Sequence, residues 1–150
     1  MSSRLPIQVL VYPVRRRQDG WEFLLLKRVE ERGGFWQGVT GAPEEGEKIA
    51  EGARRELLEE TGFNPDLLIE SKFSYSIDIN NVKGSIYTDG VKEIHEYVFV
   101  AIINTTEDPI IDPIEHTHWK WVSYEEALEL LFWRNNKAAL AHVNSMISKM

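Results

Sequence analysis

The chain has 150 residues, 43% of them hydrophobic, a formal net charge of −7 and no cysteine. This length and apolar content are typical of one globular domain and exclude disordered, collagen-like and fibrous classes. No apolar run approaches the roughly 18 residues of a membrane span, and the N-terminus lacks a signal-peptide pattern. The acidic balance disfavours polymeric nucleic acid, whose binding depends on Lys and Arg. We therefore expect a single cytoplasmic domain over residues 1–150 that binds no membrane, as a monomer or homodimer.

Apolar patterning and turn residues predict six strands and three helices. The first two strands form a hairpin because Gln18-Asp19-Gly20 is a turn sequence. Segments 30–34 and 41–46 are predicted loops, and we expect segment 80–92 to be a mobile loop. In chain order, the strands are predicted at 7–14, 21–29, 35–40, 68–79, 93–104 and 117–122.

The helices are predicted from their start and stop signals. The first covers residues 48–61 and ends at Gly62, a residue favoured just beyond a helix C-terminus. The second begins at Ser123, which forms a capping box with Glu126, and runs to about residue 133. Asn135 or Asn136 caps the third, which runs to residue 147. This order favours an α/β fold with a mixed sheet and packed helices, rather than repeating βαβ units.

The helix at 48–61 carries an unusual concentration of acid. Seven acidic and three basic residues lie between Glu44 and Glu60, which accounts for more than half of the net charge. At helical spacing, Glu56, Glu59 and Glu60 share an arc of about 100° that overlaps the apolar stripe. Carboxylates are unfavourable near a helix C-terminus. Gly52 lies in the same arc and would allow a close approach to the backbone. A divalent metal with a phosphate ligand would explain these features, and a solvated acidic face is the alternative.

The segment around this helix resembles a known motif. Gly41 is followed after five residues by Glu47, and after seven more by RELLEETGF from Arg55 to Phe63. This resembles the Nudix box, G-x5-E-x7-R-E-U-x-E-E-x-G-U with U aliphatic or aromatic, at every fixed position. Many members open the box with two glycines after a proline, whereas this chain has Ala42 after Gly41. The surrounding strand order is also similar to the Nudix α/β/α sandwich, which we expect as the fold.

The resemblance implies metal-dependent hydrolysis of a nucleoside diphosphate linked to another group. It implies that Glu56, Glu59 and Glu60 bind Mg²⁺, or Mn²⁺ in its place, and that the carbonyl of Gly41 completes the site. It assigns to Arg55 the support of the loop and of a ligating carboxylate. Mg²⁺ prefers oxygen ligands, neutralises phosphate charge and acidifies a bound water, whose proton a carboxylate can then accept.

Short matches outside the Nudix box indicate which subgroup of the family the chain resembles. The sequence FWQGVTG at 35–41 resembles the opening of the box in bacterial dihydroneopterin triphosphate and dATP pyrophosphohydrolases. The pairs EH at 115–116 and KW at 120–121 resemble a strand of the same proteins, although an EH…W strand also occurs in diadenosine tetraphosphate hydrolases. Trp133 and Asn135 are similar to their C-terminal region.

Further candidate residues lie away from the helix. Glu115 is a candidate metal ligand or general base, and an exposed acid at a strand end is its alternative. We expect His116 and His118 to be polar edge residues rather than metal ligands, since Mg²⁺ prefers oxygen. The candidate substrate contacts are Arg28, for phosphate, and Trp36 and Gln37. Ordinary core packing is the alternative for Trp36, as it is for the other aromatic residues 35 and 97.

We therefore interpret the chain as a Mg²⁺-dependent Nudix pyrophosphohydrolase. Its expected substrate is a small nucleoside or pterin triphosphate, which it cleaves to the monophosphate and pyrophosphate. A hydrolase of dinucleoside polyphosphates or ADP-ribose is the alternative enzyme. A non-catalytic nucleotide-sensing module is the alternative from another class, and the three intact helix carboxylates disfavour it.

Overall fold

A computed structural model describes residues 5–81 and 90–150, which form a mixed sheet with helices on both faces. The elements are β1 (Ile7–Arg17), β2 (Gly20–Arg28), β3 (Trp36–Gln37), β4 (Val39–Gly41), α1 (Ile49–Thr61), β5 (Leu67–Asp78), β6 (Glu93–Ile102), β7 (His116–Val122), α2 (Tyr124–Leu130) and α3 (Arg134–Ile147). Strand β1 is central: it pairs in parallel with β6 on one side and antiparallel with β2 and β4 on the other. Strand β5 then pairs with β6, and both β3 and β7 pair with β2.

The central strand is buried on both faces, as its continuous apolar sequence predicts. Val9 and Val11 belong to one core cluster with Leu57 of α1. Leu10 and Tyr12 belong to the other cluster, with residues of α2 and α3. Because side chains alternate along a strand, one strand supplies both cores, and the predicted α/β/α sandwich is confirmed. No helix among the described residues is long and apolar enough to span a membrane.

The predicted third strand is two strands with different partners. Leu26 of β2 pairs with β3, whereas β4 pairs with β1. Gly38 lies between them, and a Cβ there would lie 2.8 Å from the carbonyl oxygen of Val11. At Gly38 the chain stops pairing with β2 and begins to pair with β1. Strand periodicity alone does not predict this change of partner. The other predicted strands are present, with ends shifted by up to three residues.

The helix boundaries confirm the first helix and correct the last two. Gly62 ends α1 with a φ of +79°, and the backbone N–H of Glu126 donates to the Ser123 hydroxyl at the start of α2. However, α2 ends at Leu130 and α3 begins at Arg134. The prediction that Asn135 or Asn136 caps α3 is wrong, because both lie inside the helix. The predicted loop at 80–92 lies largely outside the described residues, since 82–89 are not described.

The strand registers bring the predicted site residues to one end of the sheet. Gly41, at the end of β4, lies opposite Val9 near the start of β1. Arg28, at the end of β2, lies opposite His116, the first residue of β7. The β1–β2 hairpin closes at the other end. The site is therefore assembled from strand ends together with α1.

Candidate active site

Arg55 of α1 joins the loop before the helix to the helix carboxylates. Its Nε and one terminal nitrogen donate to the two carboxylate oxygens of Glu47, at 2.9 and 3.1 Å. Nη1 donates to Glu56 at 3.1 Å and Glu59 at 3.2 Å, and Nη2 also donates to the Ala42 carbonyl at 3.0 Å. These bonds hold the pKa of Glu47 below its usual value and raise that of Arg55. The planar guanidinium therefore fixes the loop and two candidate ligands in one geometry.

Two glycines allow close approaches within this unit. A Cβ at Gly41 would overlap the carboxyl group of Glu56, so the strand end and this acid are in direct contact. At Gly52 a Cβ would lie 3.0 Å from a Glu47 oxygen and 3.1 Å from the Cα of Pro43. The loop therefore packs against Gly52. The close approach expected at Gly52 is therefore present, and the loop is the group that makes it.

Glu56 and Glu60 form a buried pair of acids. Glu60 is 6% exposed, and its carboxyl group lies beside that of Glu56. Burial, followed by the hydrogen bond and charge of Glu56, raises the pKa of Glu60 to about 10. Burial also raises the pKa of Glu56, although Arg55 opposes the shift. Two acids in this environment share a proton unless a cation joins them.

A second acid, Glu115, reaches Glu60 from the turn directly before β7. Ligand atoms of Glu60, Glu115 and His116 all lie within 4.8 Å of one another, and His116 Nε2 is 3.8 Å from a Glu60 oxygen. Arg32 donates to Glu115 at 3.3 Å. The backbone N–H groups of Glu115 and His116 both donate to the Asp112 carbonyl, in the turn before the strand. This turn places an acid from a distant part of the chain beside the helix.

His116 lies on the edge strand β7, as predicted, but its burial was not predicted. It is 4% exposed, and its Nδ1 has no hydrogen-bond partner among the described residues. Burial and the charges of Arg28 and Arg32 lower its pKa to about 4, so the imidazole is neutral at pH 7. The adjacent His118 is exposed, as expected. The Glu115-His116 pair was visible in the sequence, but the burial of His116 depends on the turn that precedes β7.

The three candidate substrate contacts have different environments. Arg28 donates to Gln37 at 3.0 Å and lies 5.9 Å from the ring centre of Phe35. Gln37 is buried, and the hydrogen bond that it accepts positions Arg28. Trp36 is half-buried and packs against the core cluster that contains Leu131. Of the three, Arg28 is the one whose charge acts on Glu60.

The donor set fits a hard divalent cation. The carboxylates of Glu56, Glu59, Glu60 and Glu115 and the carbonyl of Gly41 supply oxygen atoms, which Mg²⁺ and Mn²⁺ prefer. Among the described residues, Arg55 forms an ion pair with Glu56, and the charge of Arg28 acts on Glu60. A divalent ion would allow both acids to ionise. Glu59 is more exposed and lies on the Arg55 side of the cluster.

The shared proton predicts a pH dependence of stability. In chelator-treated protein, we expect the free energy of unfolding to fall as pH rises from about 5 to 9. Native Glu60, with a pKa of about 10, keeps a proton that the unfolded chain releases near 4.5. One such proton contributes a slope of up to about 1.4 kcal/mol per pH unit. Glu60→Gln should reduce the slope.

Urea unfolding at pH 5, 7 and 9 measures this slope. The matched control is Glu45→Gln, an exposed acid of the loop before α1, which should leave the slope unchanged. Burial also raises the pKa of Glu96, but its contribution to the slope is the same in all three proteins. Identical slopes for wild type and Glu60→Gln would contradict the protonated pair.

The chain and its fold match known proteins over nearly their full length. Residues 4–143 match the family model of the NUDIX domain. Dihydroneopterin triphosphate diphosphatase of Escherichia coli (strain K12) is 30% identical over 138 residues, which cover 89% of each chain. A protein of Listeria monocytogenes assigned as a NUDIX hydrolase has a TM-score of 0.83 and 31% identity, covering 97% of this chain and 96% of its own.

Some relatives are much longer than the matched region. An octanoyltransferase of Myxococcus xanthus is 32% identical over 123 residues, which cover 82% of this chain but 32% of that protein. The chain spans 57% of two other curated relatives. The match to these relatives therefore covers only part of each of them. Since the NUDIX model covers almost the entire sequence and the fold agrees, the chain belongs to the Nudix family.

Proposed function

We propose that the chain is a divalent-metal-dependent pyrophosphohydrolase. It cleaves a nucleoside, deoxynucleoside or dihydroneopterin triphosphate to the monophosphate and pyrophosphate. The observation that carries this proposal is the position of Glu60, a buried acid that lies beside Glu56 and Glu115. Burying several acids together is costly in a site that serves stability alone, and it suits a site that binds a cation.

In this mechanism the residues of α1 hold the metal. Glu56, Glu59, Glu60 and the carbonyl of Gly41 are its ligands. When bound, the ion neutralises phosphate charge and acidifies a water molecule. Arg55 keeps Glu56 and Glu59 oriented through its hydrogen bonds, so it is a positioning residue.

The remaining steps fall to residues at the strand ends. Glu115 accepts the proton of the attacking water, or else completes the metal site. Arg28 binds a phosphate oxygen, and its hydrogen bond to buried Gln37 fixes its direction. Neutral His116 lies beside Glu60 and Glu115 without adding a positive charge.

The triphosphate class is proposed from the relatives. The Escherichia coli dihydroneopterin triphosphate diphosphatase covers the same length as this chain, at 30% identity. That identity supports the class of reaction, and the choice among ring systems is left to experiment. Dinucleoside polyphosphates and ADP-ribose are the competing substrates.

The test is product analysis over a substrate panel. Purified chain with Mg²⁺ is incubated with dATP, dihydroneopterin triphosphate, diadenosine tetraphosphate and ADP-ribose. We expect the two triphosphates to give pyrophosphate and a monophosphate, and a chelator to abolish release. Faster turnover of diadenosine tetraphosphate or ADP-ribose would favour the alternative enzyme. Tight nucleotide binding with no turnover of any compound would favour the sensing module.

A further inference from the structure

An exposed group of aromatic side chains lies between α2 and α3. We call Phe35, Phe132 and Trp133 the aromatic face. Phe132 is 67% exposed and Trp133 37% exposed. Their rings meet edge to face with centres 4.9 Å apart, and Phe35 contacts Trp133 at 5.6 Å and Phe132 at 6.3 Å. The three rings therefore form one continuous surface.

The packing of the helices does not require this exposure. The preceding residue, Leu131, is 2% exposed and anchors the α2–α3 connection in the core. Of the two aromatic residues that follow it, Phe132 is mostly exposed and Trp133 is partly exposed. A contiguous exposed apolar surface of this kind marks a binding site more often than scattered exposed residues do.

Arg28 connects the aromatic face to the acidic centre. Its guanidinium carbon lies 5.9 Å from the ring centre of Phe35, within the range of a cation–π contact. Its backbone N–H donates to the Phe35 carbonyl at 3.0 Å. The same guanidinium acts electrostatically on Glu60 and His116. A molecule with its phosphates at the acids and Arg28 would have its other end near the aromatic face.

We propose that Phe132 and Trp133, supported by Phe35, stack on the ring of the substrate and favour bicyclic rings. This inference rests on the proposed triphosphate hydrolysis and names the residues that select the ring. Stacking strengthens with the number of atoms in contact, so a purine or pterin gains more from this surface than a pyrimidine does. The occupant is a planar bicyclic ring attached to a triphosphate.

The test measures binding separately from turnover. The probes are α,β-methylene dATP and α,β-methylene dCTP, which resist cleavage of that bond, and tripolyphosphate, which has no ring. Calorimetry with Mg²⁺ gives their Kd values for wild type, Phe132→Ala and Trp133→Ala. We expect each variant to weaken dATP-analogue binding about tenfold or more. The preference over the dCTP analogue should shrink, and tripolyphosphate binding should change less than twofold.

The controls separate stacking from a structural effect. Leu67→Ala removes an apolar side chain of similar exposure, 50%, at the opposite end of the sheet, and should change no Kd. Trp133→Phe keeps a ring and should retain most of the affinity. With dATP as substrate, the Ala variants should raise KM and leave kcat nearly unchanged.

Two results would overturn this inference. Unchanged binding of the dATP analogue in both Ala variants would show that the ring lies elsewhere. Equal losses for the analogue and tripolyphosphate would show that the aromatic face acts through the fold. Failure of the proposed function is a different result: wild type would then turn over no triphosphate, whatever these Kd values are.

Discussion

Replacing Glu60 or Glu59 with glutamine is expected to lower kcat by about 10²–10⁴-fold without unfolding the chain. Each change removes a proposed metal ligand, and charge stabilisation by the metal is worth several kcal/mol in the transition state. The two positions differ in environment. Glu60 is 6% exposed, and burial together with the neighbouring Glu56 raises its pKa, whereas the Glu59 side chain is 57% exposed and accepts from Arg55.

Because Glu60 and Glu59 differ in burial, the two substitutions should affect stability differently. In chelator-treated protein at pH 7, Glu60→Gln should be at least as stable as wild type, because the amide removes the pH-dependent cost of a buried acid. Glu59→Gln should change stability little, since an exposed ion pair contributes about 0–1 kcal/mol. Metal should raise the Tm of wild type more than that of either variant.

The measurements are kcat with dATP, the Mg²⁺ concentration for half-maximal activity, and Tm with and without metal. Glu45→Gln, in the loop before α1, is the control with unchanged activity. Full activity of either variant would remove that residue from the metal site. If one variant loses both activity and folding, the metal dependence of Tm in the other variant tests the metal site.

Glu115→Gln is the second change with a large expected effect. If Glu115 accepts the proton of the attacking water, kcat should fall by about 10²–10⁴-fold, the usual contribution of general-base catalysis, with little change in metal affinity. If it is a ligand, the half-maximal Mg²⁺ concentration should rise. Its place beside Glu60 and its bond to Arg32 are compatible with both roles.

Titration with Mg²⁺ at saturating substrate distinguishes these roles. The matched control is Glu31→Gln, an exposed acid in the turn near Arg32, which should leave both parameters unchanged. If neither parameter moves in Glu115→Gln, the residue is not part of the catalytic site. The base would then be sought among Glu56, Glu59 and Asp89, of which the last lies outside the described residues.

Local sequence alone predicted the elements and the helix that carries the acids. Apolar continuity predicted the two-faced burial of β1, and Gly62 correctly marked the end of α1. These features depend on side-chain periodicity and backbone preference within a few residues. The spacing from Gly41 to Phe63 also predicted the family, because a fixed motif is a property of the sequence itself.

Tertiary structure decided which acids meet and which aromatic side chains remain exposed. Helical spacing grouped Glu56, Glu59 and Glu60, but it could not show that Glu60 is buried beside Glu115, a contact made across 55 residues of chain. His116 is buried for the same reason: the turn before β7 and the end of β2 enclose it. Exposure of Phe132 depends on where α2 ends and how Leu131 enters the core. Burial and long-range proximity arise from packing between distant segments, and no local pattern encodes them.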